Sequence, residues 1–307
     1  MASLANVLLS RRVQEMVING EEPESLYICR DEKEAQTVPS PLTPIPIIDL
    51  NLLSSSPLST KEEKEEEEED LQKLKSALCS WGCFQAINHG IPSCFFDEFR
   101  QVTREFFQLS MEEKNKYSKG VEEIEGYGGD PSPEEGQFLD WQDRLFLTVY
   151  PQELRDTKFW PQNPKSFRFR KVHLQDEDGD RDCFEIHGQV ARMRMKAFKF
   201  SKISKWFTVP TLPDALLILI GDQMEIMTNG IWKSPVHRVV NNKEKERTSI
   251  AVFYTPEKHK EIGPVDGVVN VETPPLFNKV RDYEITFWKY YQRGIRVLHT
   301  TRMKING

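Results

Sequence analysis

The stretch from Leu212 to Tyr254 constrains the fold more than any other part of the chain. Its continuous apolar run, Ala215–Ile220, predicts a strand buried on both faces. After a turn at Asn229-Gly230, the sequences VHRVV at 236–240 and RTSIAVFY at 247–254 predict two strands joined by a polar loop as a β-hairpin. The C-terminal half is therefore predicted to be rich in β-structure.

Three polar residues of the predicted hairpin indicate a binding site. Arg247 and Ser249 share one face, because side chains alternate along a strand. An arginine fork binds a carboxylate in a bidentate manner and a serine hydroxyl adds a hydrogen bond, so the pair would hold the distal carboxylate of a small dianion. His237 on the neighbouring strand could bind a metal through a neutral imidazole nitrogen. Taken alone, a strand histidine is more often structural, and Arg-x-Ser is too short to be specific.

The composition excludes several classes of partner. A net charge of -7 and a pI near 5.6 argue against a nucleic-acid or anionic-membrane surface. We expect neither a secretory signal nor a membrane span, because the start lacks a basic head with an apolar run and no stretch approaches about 20 apolar residues. The cysteines are odd in number without metal-type spacing, which is typical of reduced thiols in a cytoplasmic protein: Cys29, Cys79, Cys83, Cys94 and Cys183.

The N-terminal half predicts alternating helices and strands. A helix is predicted around Arg11 to Val17, and the acidic run at 54–70 is interpreted as a surface loop or frayed helix start. Other elements follow from periodicity and turn residues: strands at 44–50, 83–90 and 139–151, and helices at 71–81, 91–110 and 280–296. His89 is interpreted as a turn histidine and the glycine-rich 124–130 as a loop. Residues 167–205 show no sustained pattern.

Several of these segments together resemble plant Fe(II)- and 2-oxoglutarate-dependent dioxygenases of the isopenicillin N synthase-like type. The similar motifs are IPIIDL, WGCFQAINHGI, FFQLSMEEKNKY, IEGYG and LDWQDRLFL, followed by VPTLPDALL and GDQMEIMTNGIWKSPVHRVV. The resemblance implies a mixed α and β fold with a jelly-roll core, flanking helices and a mixed N-terminal region. It also implies hydroxylation, demethylation or desaturation of a small plant metabolite, with decarboxylation of 2-oxoglutarate to succinate.

The resemblance assigns roles to residues. An iron is held by two histidines and one acid, of which His237 would be the second histidine, while Arg247 and Ser249 would bind 2-oxoglutarate. The implied partners are Fe(II), 2-oxoglutarate, O₂ and a small-molecule substrate, with ascorbate as a further candidate and a monomeric chain. The remaining aromatic helix at 280–296 is expected to pack on the barrel, and the tail after Leu298 to be loose.

One motif of the family is missing. Its first two iron ligands form His-x-Asp, and no His-x-Asp occurs in the 307 residues. His259-Lys260-Glu261 follows His237 in the chain, and His187 precedes a glutamine, so neither replaces the motif well. An internal deletion on the order of 50 residues would explain the loss, and it predicts open strand edges and exposed apolar faces.

Two hypotheses follow for function. The chain is either a catalytic dioxygenase, or a non-catalytic derivative, meaning a truncated isoform, a defective gene model or a pseudo-enzyme that acts by binding. The predicted organisation is a polar segment at 1–43, a dioxygenase N-terminal region at 44–166, an irregular junction at 167–205, the C-terminal part of the jelly roll at 206–298 and a tail at 299–307.

Overall fold

The structure is a computed structural model, and everything below concerns the residues it describes. These are residues 10–28, 37–38, 45–54, 61–130, 139–165, 167, 181–189, 198–202, 205–210, 212–240, 247–291 and 295–303.

Most of the helices belong to the N-terminal half of the chain and to its C-terminal part. Their bounds are α1 Val13–Ile18, α2 Lys61–Ser80, α3 Ser93–Gln108, α4 Met111–Asn115, α5 Asp222–Met227, α6 Tyr283–Tyr291 and α7 Val297–Thr301. Short 3-10 turns lie at Ser25–Tyr27, Leu52–Ser54, Gln152–Leu154, Thr157–Phe159 and Asp266–Val268. In the described part of the chain no helix combines the length and apolar character that a membrane crossing demands.

The strands form three main sheets and a short pair. Their bounds are β1 Thr37–Val38, β2 Ile47–Asp49, β3 Cys83–Ile87, β4 Gly126–Gly128, β5 Asp143–Tyr150, β6 Arg181–Gln189, β7 Phe198–Lys202, β8 Lys205–Thr208, β9 Leu216–Leu219, β10 Val236–Val239, β11 Arg247–Thr255, β12 Glu261–Ile262 and β13 Val280–Arg281. The sheet β1-β8-β7-β10 is called the His237 sheet, and β11-β6-β5-β4 the Arg247 sheet. The third sheet is β2-β3-β9, and β12 pairs with β13.

The predicted hairpin between 236–240 and 247–254 is wrong. β10 pairs antiparallel with β7, so that His237 lies opposite Phe200. β11 pairs antiparallel with β6, so that Ser249 lies opposite His187. The two strands belong to different sheets because consecutive strands of a jelly roll cross between its sheets. His237 and Arg247 therefore do not lie on neighbouring strands.

The other strand predictions are largely confirmed. β2, β5 and β9 lie within the predicted segments, but β9 is only partly buried along its length, whereas a strand covered on both faces was expected. β3 differs in the opposite direction. It was predicted to be half-buried, but Cys83 to Ala86 are all buried, and the strand contributes to the cores that also contain residues of α2 and β9. The segment 167–205, for which no element was predicted, contributes β6 and β7, and the glycine-rich turn at 124–130 contains β4 paired with β5.

The helix predictions also need correction at their ends. α2 begins at Lys61, so the acidic residues up to Asp70 are helical, stabilised by good helix formers and by pairs such as Lys73 with Glu69. The tail is not loose up to residue 303, because Val297, Leu298 and Thr301 are buried in α7. α1 confirms the helix predicted near Arg11, and Ser110 caps α4 as expected.

The three strands of the stretch 212–254, which are β9, β10 and β11, each lie at one end of a sheet within the described residues. Large apolar side chains are exposed there, including Val236, Val252 and Phe253, each between 41% and 44% accessible. Every open sheet has two end strands, so these edges do not test the deletion, which stays a prediction.

Candidate functional site

His237 lies in the second position of β10, directly after the Ser234-Pro235 segment. Its ring Nδ1 is 3.1 Å from the carbonyl oxygen of Pro235. The side chain is accessible to solvent, and yet burial by surrounding protein is the main cause that lowers its pKa. A lowered pKa keeps the imidazole neutral at neutral pH, which is the form that can donate an electron pair.

Arg247 and Ser249 lie on one face of β11, as the alternation predicted. Both are half-buried, and burial lowers the pKa of the Arg247 guanidinium, which nonetheless stays charged at neutral pH. A desolvated cation is stabilised by an anion, because an opposite charge offsets the cost of removing the guanidinium from water. The pair therefore fits a carboxylate.

On the Arg247 sheet, the residues paired across neighbouring strands lead from Ser249 to Arg144. Ser249 lies opposite His187, and His187 lies opposite Arg144 on β5. Arg144 is buried and forms a salt bridge with Asp130, and its guanidinium lies 5.1 Å from the ring centre of Trp288 in α6. The charge of Arg144 is thus balanced within the protein by Asp130. Of His187 the structure describes only the backbone.

The iron ligands do not form a complete set. Among the described residues no group of three or more His, Cys, Asp or Glu side chains could hold a metal ion. Asp222 is a carboxylate whose charge acts on His237, but it accepts hydrogen bonds from Ser234 and Arg296. Among the described residues, Arg247 and Ser249 therefore fit a carboxylate, whereas the ligands around His237 do not complete an iron site.

Other predictions for single residues are also settled. His89 is a turn histidine, as expected: its Nε2 donates to the Asp214 carbonyl oxygen at 2.8 Å, and its Nδ1 accepts from the Ile91 N–H. Sequence reasoning did not identify Asp222 and Arg296 as neighbours of His237. The Gly221-Asp222 strand end gave a signal for Asp222, but Arg296 is 59 residues beyond His237 and only the fold brings them together.

Comparison with known proteins identifies the family. A model of the N-terminal region of non-haem dioxygenases in morphine synthesis matches residues 45–163, and a model of the 2OG-Fe(II) oxygenase superfamily matches residues 175–256. Codeine O-demethylase from Papaver somniferum is 31% identical, with 92% of each chain covered. Protein SRG1 from Arabidopsis thaliana is also 31% identical, with 89% of this chain and 90% of the relative covered. The chain belongs to the 2OG-Fe(II) oxygenase superfamily, whose members are oxidoreductases that use Fe(II) and 2-oxoglutarate.

Solved structures confirm the fold. A crystal structure of JOX2 in complex with 2OG, Fe and JA superposes with a TM-score of 0.76 at 24% identity, covering 96% of this chain and 98% of that one. The dioxygenase for auxin oxidation from rice gives a TM-score of 0.64 at 18% identity, with 84% and 98% covered. The predicted jelly roll is therefore confirmed, and the relatives above confirm the predicted family, the plant 2OG-Fe(II) oxygenases.

The length of one alignment bears on the missing motif. The match to codeine O-demethylase extends over 339 residues, although the whole chain has 307. That relative therefore carries residues without a counterpart in this chain.

Proposed function

We propose that this chain binds 2-oxoglutarate through Arg247 and Ser249 and oxidises a small plant metabolite in an Fe(II)-dependent reaction, with His237 as a metal ligand. The observation that supports this most directly is the half-buried Arg247 on the same face as Ser249, in a chain of this family. The Arg247 fork would bind the distal carboxylate and the Ser249 hydroxyl would donate a third hydrogen bond.

The substrate class follows from the relatives. Two are named for demethylation of opiates, codeine O-demethylase and thebaine 6-O-demethylase, and another is jasmonate-induced oxygenase 2. We therefore propose a small organic metabolite as substrate and hydroxylation, demethylation or desaturation as the reaction, carried out by a cytoplasmic monomer. We also propose that regions 44–166 and 206–298 are the two parts of the dioxygenase, and that the junction at 167–205 has lost the segment that carries His-x-Asp.

The experiment is to measure 2-oxoglutarate consumption and succinate formation by the purified full chain with Fe(II), ascorbate and O₂. Turnover that is abolished in His237→Ala and strongly reduced in Arg247→Leu would support the proposal. Thr248→Val is the matched control, because Thr248 lies between the two binding residues and points to the opposite face. Turnover that is unchanged in Arg247→Leu would contradict the assignment of the carboxylate site.

A second candidate function is supported by the absence of His-x-Asp from the sequence. In this case the chain binds 2-oxoglutarate without oxidising it. Iron is retained in the family by two histidines and one acid, and His237 alone supplies only one neutral imidazole. Calorimetry separates the two functions. Binding of 2-oxoglutarate that requires Arg247, without succinate formation at saturating Fe(II), would support the binding function and exclude the catalytic one.

A further inference from the structure

The His237 ring makes a contact with Pro235 whose chemistry fixes the position of a proton. A carbonyl oxygen can only accept a hydrogen bond, so the 3.1 Å contact with Pro235 requires that Nδ1 carries the hydrogen. In a neutral imidazole the electron pair is then on Nε2. The geometry at Pro235 therefore decides which ring nitrogen can bind a ligand.

The residue before Pro235 is held by all of its polar groups. The Ser234 N–H donates to Glu225 Oε2 at 2.6 Å, and its hydroxyl donates to Asp222 Oδ1 at 2.7 Å. Its carbonyl oxygen accepts from Arg296 Nη2 at 2.9 Å. Ser234 can therefore neither shift nor rotate without breaking hydrogen bonds to two separate parts of the chain.

Asp222 and Arg296 also bind each other. Arg296 donates to Asp222 Oδ1 from Nη2 at 2.5 Å and from Nε at 3.2 Å, and the Leu298 N–H donates to Oδ2 at 3.2 Å. The two side chains are only 24% and 13% accessible, so solvent competes weakly for these bonds. The pair joins the start of α5 to the start of α7 beside Ser234.

We propose that Asp222, Glu225 and Arg296 are positioning residues that hold the Ser234-Pro235 segment, so that the Pro235 carbonyl keeps His237 in the Nδ1–H tautomer and directs the Nε2 electron pair to a ligand. Outer contacts of this kind orient imidazole ligands and set their tautomer in metal sites. Only one part of this proposal, the use of Nε2 to bind a ligand, rests on the proposed function. The tautomer itself requires neither iron nor 2-oxoglutarate.

The test is the tautomer of His237 in the full chain labelled with ¹⁵N-histidine, read from long-range ¹H–¹⁵N correlations without metal. Spectra are recorded near pH 8, above the ordinary histidine pKa of about 6.5. The His237 signals are assigned by their loss in His237→Gln. We expect the Nδ1–H form in the unmodified chain.

Two variants test the network. Ser234→Ala removes only the bond to Asp222, and Asp222→Asn weakens the pairing with Arg296 while preserving shape. Each should lower the ratio of the Nδ1–H to the Nε2–H form by about two- to tenfold, the factor of one neutral hydrogen bond. Arg296→Lys keeps the charge but loses the fork, so it should give a smaller decrease than Arg296→Leu.

Asp282→Asn is the matched control. Asp282 accepts from the His259 N–H at 2.7 Å and contacts its ring Nδ1 at 3.0 Å, so this variant should move the His259 signals and leave those of His237 unchanged. The Nε2–H form in the unmodified chain would overturn the proposal, as would an unchanged tautomer in folded Ser234→Ala and Arg296→Leu chains. Absence of turnover would refute the catalytic function and leave this inference standing.

Discussion

At the scale of single residues, the arginine and the serine of β11 carry the most specific chemistry. Arg247→Lys keeps a positive charge but cannot form two parallel hydrogen bonds to a carboxylate. Loss of a charged hydrogen bond costs about 1.5–3 kcal/mol, so we expect 2-oxoglutarate to bind about 10- to 150-fold more weakly. Ser249→Ala should weaken binding by about two- to tenfold. Calorimetric titration measures both, and equal affinity of Arg247→Lys and the unmodified chain would contradict the bidentate contact.

A second residue, Asp143, tests how burial acts on a carboxylate. It is fully buried at the start of β5 and accepts hydrogen bonds from the Val13 and Gln14 N–H groups at the start of α1, both at 2.9 Å. Burial raises its pKa above the ordinary value of 3.8, in spite of these bonds and of Arg12 and Lys114 nearby. A raised pKa means that the folded state binds a proton more readily than the unfolded state.

The sign of the pH dependence follows from that difference. As pH rises from 3.8 through the raised pKa of Asp143, the unfolded state ionises first and the free energy of unfolding falls. The stability of the unmodified chain relative to Asp143→Asn should therefore increase as the pH is lowered through this range. Urea unfolding of both chains at a series of pH values measures it. A relative stability that decreases on acidification would show that the two cations dominate over burial.

At the scale of elements, the sequence predicted best those strands and helices that have a complete local signal. The apolar period identified α3, and the capping residue Ser110 identified the start of α4. The apolar run at 215–220 identified β9. β6 and β7 were missed because their alternation covers only Phe184 to His187 and Phe198 to Ser201, within a segment rich in charged residues. Their pairing with β11 and β10 depends on the tertiary fold. The hairpin error has the same origin, since chain neighbours need not pair in a jelly roll.

β11 gives an element-scale prediction about self-association. Val252 is 41% accessible on a strand that ends its sheet in the described part of the chain, whereas Ile250, two residues earlier on the same face, packs against the core of α3 and β5. Val252→Lys should reduce concentration-dependent association, because a charge on an edge strand opposes pairing with another chain, and should change the free energy of unfolding by no more than about 0.5 kcal/mol. Light scattering and urea unfolding measure the two effects.

The control for that prediction is Ile250→Lys. This variant places a charge against the buried cluster that contains Leu145 and Leu147, so it should destabilise the fold strongly. If both lysine variants left association unchanged, the exposed side of β11 would not be the surface through which copies of the chain meet.

At the scale of the whole molecule, the sequence offers candidates for a carboxylate site in Arg247 and Ser249 and only one candidate, His237, for the metal. Arg247, Ser249 and His237 could be proposed because several longer motifs in the same order resemble the family, whereas the three residues alone are not specific. Asp222 and Arg296 could not be proposed, because their relation to His237 exists only after α5 and α7 pack together. The missing His-x-Asp is a property of the sequence itself, and the longer alignment with codeine O-demethylase is consistent with a lost segment.

Iron retention tests what that loss means for the whole chain. The binding function predicts well below one iron per chain after loading with Fe(II) and desalting under argon, because one neutral imidazole provides neither the charge nor the ligand number of the family's iron site. 2-Oxoglutarate should still bind without metal through Arg247, although more weakly than in a complete site. Elemental analysis and calorimetry on the same sample measure both quantities. One iron per chain that is lost in His237→Ala would instead show that residues outside the described site complete the ligand set, and would favour the catalytic function.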